Sequence, residues 1–90
     1  MKRILVAEDE ALLRDAIAEV LKLHGYEVIE ASDGSTALEL TRSRYPDLVL
    51  SDVRMAPMTG TEFLTALRQD PAIAATPFIL MTGATDKTPL

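Results

Sequence analysis

The chain has 90 residues and a net charge of −5, and 48% of its residues are hydrophobic. This length suits one small domain, and the hydrophobic content is sufficient for a core, which argues against a disordered chain. The acidic balance disfavours nucleic acid or an anionic membrane surface as a direct partner, and the absence of cysteine excludes disulfides and zinc sites built on cysteine.

The N-terminus contains no pattern of a targeting or membrane segment. Only the apolar run Ile4–Ala7 precedes Glu8, whereas a signal peptide needs roughly 7–15 apolar residues and a membrane span ~18. We therefore expect residues 1–90 to form a soluble, cytoplasmic domain that does not contact a membrane.

Strand and helix patterns alternate from the first residues onward. Ile4–Ala7 predicts a strand buried on both faces, and helical spacing predicts an amphipathic helix over about Ala11–His24, with Gly25 as a left-handed C-cap. The residues expected on the apolar face of this helix are Leu13, Ile17, Val20 and Leu21, and those on its polar face are Arg14, Asp15, Glu19 and Lys22.

The middle of the chain repeats this alternation. Tyr26–Ala31 predicts a second strand, and the turn Asp33-Gly34-Ser35 opens a second helix that continues to about Tyr45. Leu48-Val49-Leu50 predicts a third buried strand, which ends in Ser51-Asp52.

The last predicted elements are a helix and a strand after a loop over Val53–Gly60. Thr59 and Glu62 have the spacing of a capping box, which predicts the start of a third helix. Asp70-Pro71 ends that helix, and Pro77–Met81 predicts the fourth strand.

The element order βαβαβαβ predicts a mostly parallel sheet with helices on both faces. In such sheets ligands bind at the carboxyl ends of the strands. The residues expected at those ends are Glu8 and Asp9, then Asp52, then Thr82. Three carboxylates and a hydroxyl should therefore meet in one crevice.

Carboxylates held this close repel one another, so some must be protonated or a cation must bind. Oxygen ligands without His or Cys suit a hard ion such as Mg²⁺. The Asp52 carboxylate could attack an electrophilic phosphoryl group, and the Thr82 hydroxyl could donate a hydrogen bond to it. The alternative for Glu8-Asp9-Glu10 is a solvated helix N-terminus, where acids are favoured by the helix dipole.

Five segments carry motifs in a fixed order, and these are Ile4–Glu10, Asp33-Gly34-x-x-Ala37-Leu38, Pro46–Asp52, Gly60 and Pro77–Gly83. In order and spacing they resemble the receiver domains of the response regulators of two-component signalling. The resemblance covers the whole chain. It implies a flavodoxin-like (CheY-like) doubly wound parallel sheet and a phosphorelay signalling module that is not an enzyme.

The resemblance implies a role for each matching residue. Asp52 would be the phosphoacceptor, charged from the phosphohistidine of a sensor histidine kinase or phosphotransfer protein. Glu8, Asp9 and Asp52, with the backbone carbonyl of Arg54, would bind Mg²⁺. Thr82 would be the switch hydroxyl that follows the phosphoryl group.

The chain departs from the family pattern at two places. Pro57 stands one position later than the family's loop proline, which predicts a local change of loop shape. The family's last helix, strand and helix, with a lysine that grips the phosphoryl group, have no counterpart here, since Lys87 precedes Thr88 and not a proline. The alternative function is therefore a degenerate or truncated receiver that acts only in protein interaction or dimerisation.

The missing fifth strand would leave the fourth strand at the edge of the sheet. An apolar edge strand tends to associate with another chain. We therefore expect a homodimer or higher oligomer, formed through the fourth strand or by exchange of elements between chains.

Two other functional classes fit the residues less well. A phosphohydrolase of the haloacid dehalogenase type needs a second Asp two residues after the first, where this chain has Arg54. A flavodoxin-like nucleotide binder needs a glycine-rich loop after the first strand, where this chain has Glu8-Asp9-Glu10.

Overall fold

In a computed structural model, which describes residues 1–81, strands and helices alternate as the sequence predicts. The elements are β1 (Arg3–Ala7), α1 (Ala11–Leu23), β2 (Glu27–Ala31), α2 (Gly34–Arg44), β3 (Leu48–Asp52), α3 (Gly60–Gln69) and β4 (Phe78–Met81). Thr82, Gly83 and Lys87 lie outside the described residues.

The four strands form one parallel sheet in the order β2-β1-β3-β4. Ala7, the last residue of β1, lies opposite Ala31 on one side and Ser51 on the other. Asp52 lies opposite Met81. Because β3 has a neighbour on each side, Asp52 ends an inner strand.

The main core lies between one face of the sheet and the helices α2 and α3. Alternate residues of a strand point to opposite faces, and Leu5, Ile29 and Val49 are buried toward these helices. Phe63 of α3 is fully buried and packs edge-on against Phe78, with ring centroids 5.1 Å apart. This packing fixes α3, and with it the loop that follows Asp52.

Helix α1 packs on β1 and β2 and corrects one prediction. Its one buried residue is Ala18, whereas Val20, which was expected to face the sheet, is 54% exposed. Leu13, Ile17 and Leu21 are half-buried. The apolar arc of α1 is wider than the surface that β1 and β2 offer, so part of it faces solvent.

The predicted capping box of α3 and the predicted left-handed conformation of Gly25 are confirmed. The Thr59 hydroxyl accepts a hydrogen bond from the Glu62 N–H at 3.2 Å, and the Glu62 carboxylate accepts one from the Thr59 N–H at 2.8 Å. Gly25 follows α1 with a φ of +88°, a left-handed conformation that favours glycine. The loop between β3 and α3 is closed by a 2.9 Å hydrogen bond from the Gly60 N–H to the Val53 carbonyl.

Strand β4 forms one edge of the sheet within residues 1–81, and its Ile79 is 51% exposed. An apolar strand at this edge is what the sequence predicts. No helix in this part of the chain is long and apolar enough to cross a membrane.

Candidate metal centre

Three carboxylates meet at the carboxyl end of the sheet. Glu8, Asp9 and Asp52 each place a carboxylate oxygen within 4.8 Å of the others. Glu8 and Asp9 directly follow β1, and Asp52 ends the neighbouring β3. The predicted convergence of the three carboxylates is therefore confirmed, whereas the predicted approach of the Thr82 hydroxyl lies outside the described residues.

The three side chains differ in exposure. Glu8 is 0% and Asp52 1% exposed, whereas Asp9 is exposed. The cluster thus has two enclosed carboxylates and one that opens to solvent.

The hydrogen bonds around Glu8 leave one of its oxygens without a partner. Oε2 accepts from the Glu10 N–H at 3.1 Å. Oε1 is buried and has no hydrogen-bond partner within residues 1–81. Leaving a buried acceptor unsatisfied costs about 1–3 kcal/mol, so this oxygen is suited to a ligand that supplies positive charge.

The carboxylate of Asp52 is oriented by the backbone of the next residue, Val53. Its Oδ1 accepts a hydrogen bond from the Val53 N–H at 2.9 Å. This bond holds the carboxylate at the end of β3, beside the Glu8 and Asp9 oxygens.

The electrostatics of the cluster raise the pKa of Glu8 from its ordinary 4.5 to about 7. Burial is the largest cause, because it disfavours the charged form. The hydrogen bond from the Glu10 N–H opposes this rise. The adjacent Asp9 carboxylate and the negative charge of Asp52 add to it. A divalent cation bound to the cluster would favour the ionised form of Glu8.

The donor set fits Mg²⁺. All of its side-chain ligands are carboxylate oxygens, which hard cations prefer. The side chain of Arg54 is exposed in the loop after β3. The Mg²⁺ ligand predicted at this residue is its backbone carbonyl and not its side chain. The role predicted for Thr82 lies outside the described residues and stays a prediction.

Gly60 allows α3 to begin directly against β3. A Cβ atom on Gly60 would lie 2.0 Å from the Asp52 carbonyl oxygen and 2.9 Å from its carbonyl carbon. Real Cβ atoms do not approach backbone this closely. The first residue of α3 must therefore be glycine for the helix to pack at this distance from Asp52.

Arg14 contributes to the site in a way that sequence reasoning missed. The helical spacing predicts that Arg14 lies on the polar face of α1, but its side chain is only 19% exposed. Its guanidinium donates a hydrogen bond to the Glu8 carbonyl at 2.8 Å. The sequence signal for this contact is a basic residue on α1, the helix that follows the acidic end of β1.

Comparison with known families matches residues 4–89 to the response regulator receiver domain. Similar curated proteins include the transcriptional regulatory protein PdtaR of Mycobacterium tuberculosis, 48% identical over 62 residues, which are 68% of this chain and 30% of that protein. The alkaline phosphatase synthesis transcriptional regulatory protein SphR of Synechococcus elongatus is 41% identical over 93% of this chain and 35% of its own length. The chain thus spans about a third of these relatives.

Solved structures show the same similarity. The chemotaxis response regulator CheY4 of Vibrio cholerae has a TM-score of 0.88 at 35% identity, over 96% of this chain and 72% of that one. The N-terminal domain of a response regulator receiver protein from Methanoculleus marisnigri has a TM-score of 0.86 at 36% identity, over 89% and 65% respectively.

Proposed function

Because the chain belongs to the response regulator receiver domain family of two-component signalling, we propose that Asp52 accepts a phosphoryl group in the presence of Mg²⁺. The donor is the phosphohistidine of a sensor histidine kinase or phosphotransfer protein. The family and the flavodoxin-like fold predicted from the sequence are confirmed. Receiver domains are signalling modules that interact with such kinases and generally bind Mg²⁺ through acidic residues.

One observation carries the proposal. Asp52 ends an inner strand, and its carboxylate lies within 4.8 Å of those of Glu8 and Asp9. Glu8 Oε1 has no hydrogen-bond partner within residues 1–81, and this gives independent support, because a cation at this place would satisfy it. Glu8, Asp9 and Asp52 would hold the ion, and the Arg54 carbonyl would be a further ligand.

The chemistry required of Asp52 is a nucleophilic substitution at phosphorus. A carboxylate oxygen forms the new O–P bond, and the P–N bond breaks with its electron pair passing to the imidazole. The product on the chain is a mixed carboxylic–phosphoric anhydride. The hydrogen bond from the Val53 N–H to Oδ1 keeps the carboxylate oriented. When bound, Mg²⁺ supplies positive charge against the phosphoryl oxygens. The chain is itself modified in this role, so it acts as a phosphoryl acceptor rather than as an enzyme.

The experiment is intact-mass measurement after incubation with acetyl phosphate, with Mg²⁺ or with EDTA. Acetyl phosphate replaces the kinase as a phosphoryl donor and releases acetate. We expect wild type to gain the mass of one phosphoryl group only with Mg²⁺, and Asp52→Asn to gain none. The matched control is Asp15→Asn, which changes an exposed aspartate on α1 and should behave as wild type.

No mass gain in a wild-type sample whose circular dichroism shows the folded chain would support the alternative, a receiver that only binds partners. A Mg²⁺-dependent gain that persists in Asp52→Asn would instead assign the acceptor role to another residue.

We also propose that the chain forms a homodimer or higher oligomer, through β4 or by exchange of elements between chains. The half-exposed Ile79 on this edge strand supports the proposal. Sedimentation velocity tests it, and a folded monomer at tens of micromolar would contradict it.

A further inference from the structure

The side chain of Arg14 joins helix α1 to the two strand ends beside the candidate metal centre. Its Nη1 donates to the Glu8 carbonyl oxygen at 2.8 Å, at the carboxyl end of β1. Its Nε lies 3.5 Å from Oε1 of Glu30, near the end of β2. With 19% of the side chain exposed, the guanidinium is held between these two acceptors.

This contact completes the fixing of the Glu8 backbone. The Glu8 N–H donates to the Ala31 carbonyl at 3.0 Å, and the Glu8 carbonyl accepts from Arg14. The Glu8 carbonyl belongs to the peptide unit that connects Glu8 to Asp9. The orientation of this peptide plane determines where the Asp9 side chain points relative to that of Glu8.

Arg14 does not neutralise the two acids that it adjoins. Within residues 1–81, Arg14 forms an ion pair with Glu30. No ion pair in this part of the chain joins Arg14 to the carboxylate of Glu8 or Asp9. The guanidinium therefore contacts the backbone of the turn and leaves the carboxylates available to a cation. An arginine suits this task because its planar fork of donors can contact two acceptors at once.

We propose that Arg14 is a positioning residue for the candidate metal centre. Its hydrogen bond to the Glu8 carbonyl aligns the Glu8–Asp9 peptide so that both side chains present oxygens to one divalent cation. This inference rests on the proposed function of the site. Under this proposal, Arg14 controls how tightly the centre binds a metal ion, although it contacts neither the metal nor the phosphoryl group.

The test measures Mn²⁺ affinity by the electron paramagnetic resonance signal of the free ion, with Mn²⁺ as the probe for Mg²⁺. Losing a partner that orients a metal ligand typically weakens binding about 10–100-fold. We expect Arg14→Met and Arg14→Gln to weaken Mn²⁺ binding about tenfold or more on this basis. Arg14→Lys should restore most of the affinity, because its ammonium group can still donate to the Glu8 carbonyl.

Two controls separate positioning from general stability. Glu30→Gln removes the charge of the other acceptor but leaves the bond to Glu8, so it should keep affinity near that of wild type. Urea unfolding without metal should give Arg14→Lys and Arg14→Gln similar free energies of unfolding while their Mn²⁺ affinities differ. If Arg14→Met does not fold, Arg14→Gln and Arg14→Lys decide the question.

The outcomes distinguish this inference from the proposed function. One outcome is that wild type binds Mn²⁺ and accepts a phosphoryl group while folded Arg14→Gln binds Mn²⁺ as tightly as wild type. In that case the role proposed for Arg14 is wrong and the proposed function is unaffected. If wild type neither binds Mn²⁺ nor takes up phosphate, both proposals are wrong.

Discussion

The two ends of the parallel sheet differ in how their charged side chains are arranged: acids are paired with arginines at the amino end and are clustered together at the carboxyl end. At the amino end, the Glu27 carboxylate lies 3.1 Å from both Arg3 Nε and Arg44 Nη2. Asp47 accepts a hydrogen bond from the Arg3 N–H at 2.7 Å. At the carboxyl end, Glu8, Asp9 and Asp52 bring three carboxylates together.

Exposure makes the contrast sharper. The side chains of Arg3 and Glu27 are each 37% exposed, so their pairing adds little to stability. Glu8 and Asp52 are almost fully buried, and burial raises the pKa of Glu8. Perturbed pKa values are typical of functional sites, so this contrast supports the proposal of a metal centre at the carboxyl end.

The largest effect should come from Gly60→Ala, which disrupts the carboxyl end directly. The new Cβ would lie 2.0 Å from the Asp52 carbonyl oxygen, so α3 or β3 must move. We expect the free energy of unfolding to fall by about 3 kcal/mol or more, as in severe overpacking. Urea unfolding followed by circular dichroism measures this loss.

The matched control is Gly25→Ala, at the amino end of the sheet. A Cβ there would meet nothing within 4 Å, and only the positive φ of 88° disfavours alanine. The expected loss is about 1–2 kcal/mol, with Mg²⁺ binding unchanged. Equal losses for the two variants would contradict the close packing described at Asp52.

The next effect concerns pH and Glu8. The folded chain holds the Glu8 proton more tightly than the unfolded chain, because the pKa rises from 4.5 to about 7. The contribution of Glu8 therefore lowers the stability of the metal-free protein as pH increases through this range, by on the order of 3 kcal/mol.

Glu8→Gln removes this titration. In EDTA, its free energy of unfolding relative to wild type should increase between pH 4.5 and about 7, as urea unfolding across the pH series would show. A constant difference between the two proteins over that range would contradict the raised pKa.

The smallest effect is expected at the amino end, in Glu27→Gln. This exposed carboxylate pairs with two arginines, so we expect its loss to lower the free energy of unfolding by less than about 1 kcal/mol. High salt should reduce the difference further. Urea unfolding at low and high NaCl tests this, and a loss of several kcal/mol would overturn the contrast between the two ends.

Most of the fold and the acidic cluster follow from local sequence patterns. Uninterrupted apolar runs predict the inner strands, and the Thr59–Glu62 spacing predicts where α3 begins. Because parallel strands align their carboxyl ends, the positions of Glu8 and Asp52 were sufficient to predict that their side chains converge.

Other features depend on three-dimensional distances that no local pattern contains. The exposure of Val20 depends on how much of α1 the sheet covers. The contact of Arg14 with the Glu8 carbonyl depends on the path of the turn before α1. The requirement for glycine at position 60 depends on the approach of α3 to Asp52, although the resemblance had marked the residue.

The most direct test of the account is whether Mg²⁺ stabilises the folded chain through the carboxyl end. Urea unfolding of wild type would be compared in EDTA and in millimolar Mg²⁺, at a pH above the pKa of Glu8. Binding to the folded state alone raises the free energy of unfolding, so we predict a clear increase in wild type and a smaller one in Asp52→Asn. Equal free energies of unfolding with and without Mg²⁺ would contradict the assignment of Glu8, Asp9 and Asp52 as a metal centre.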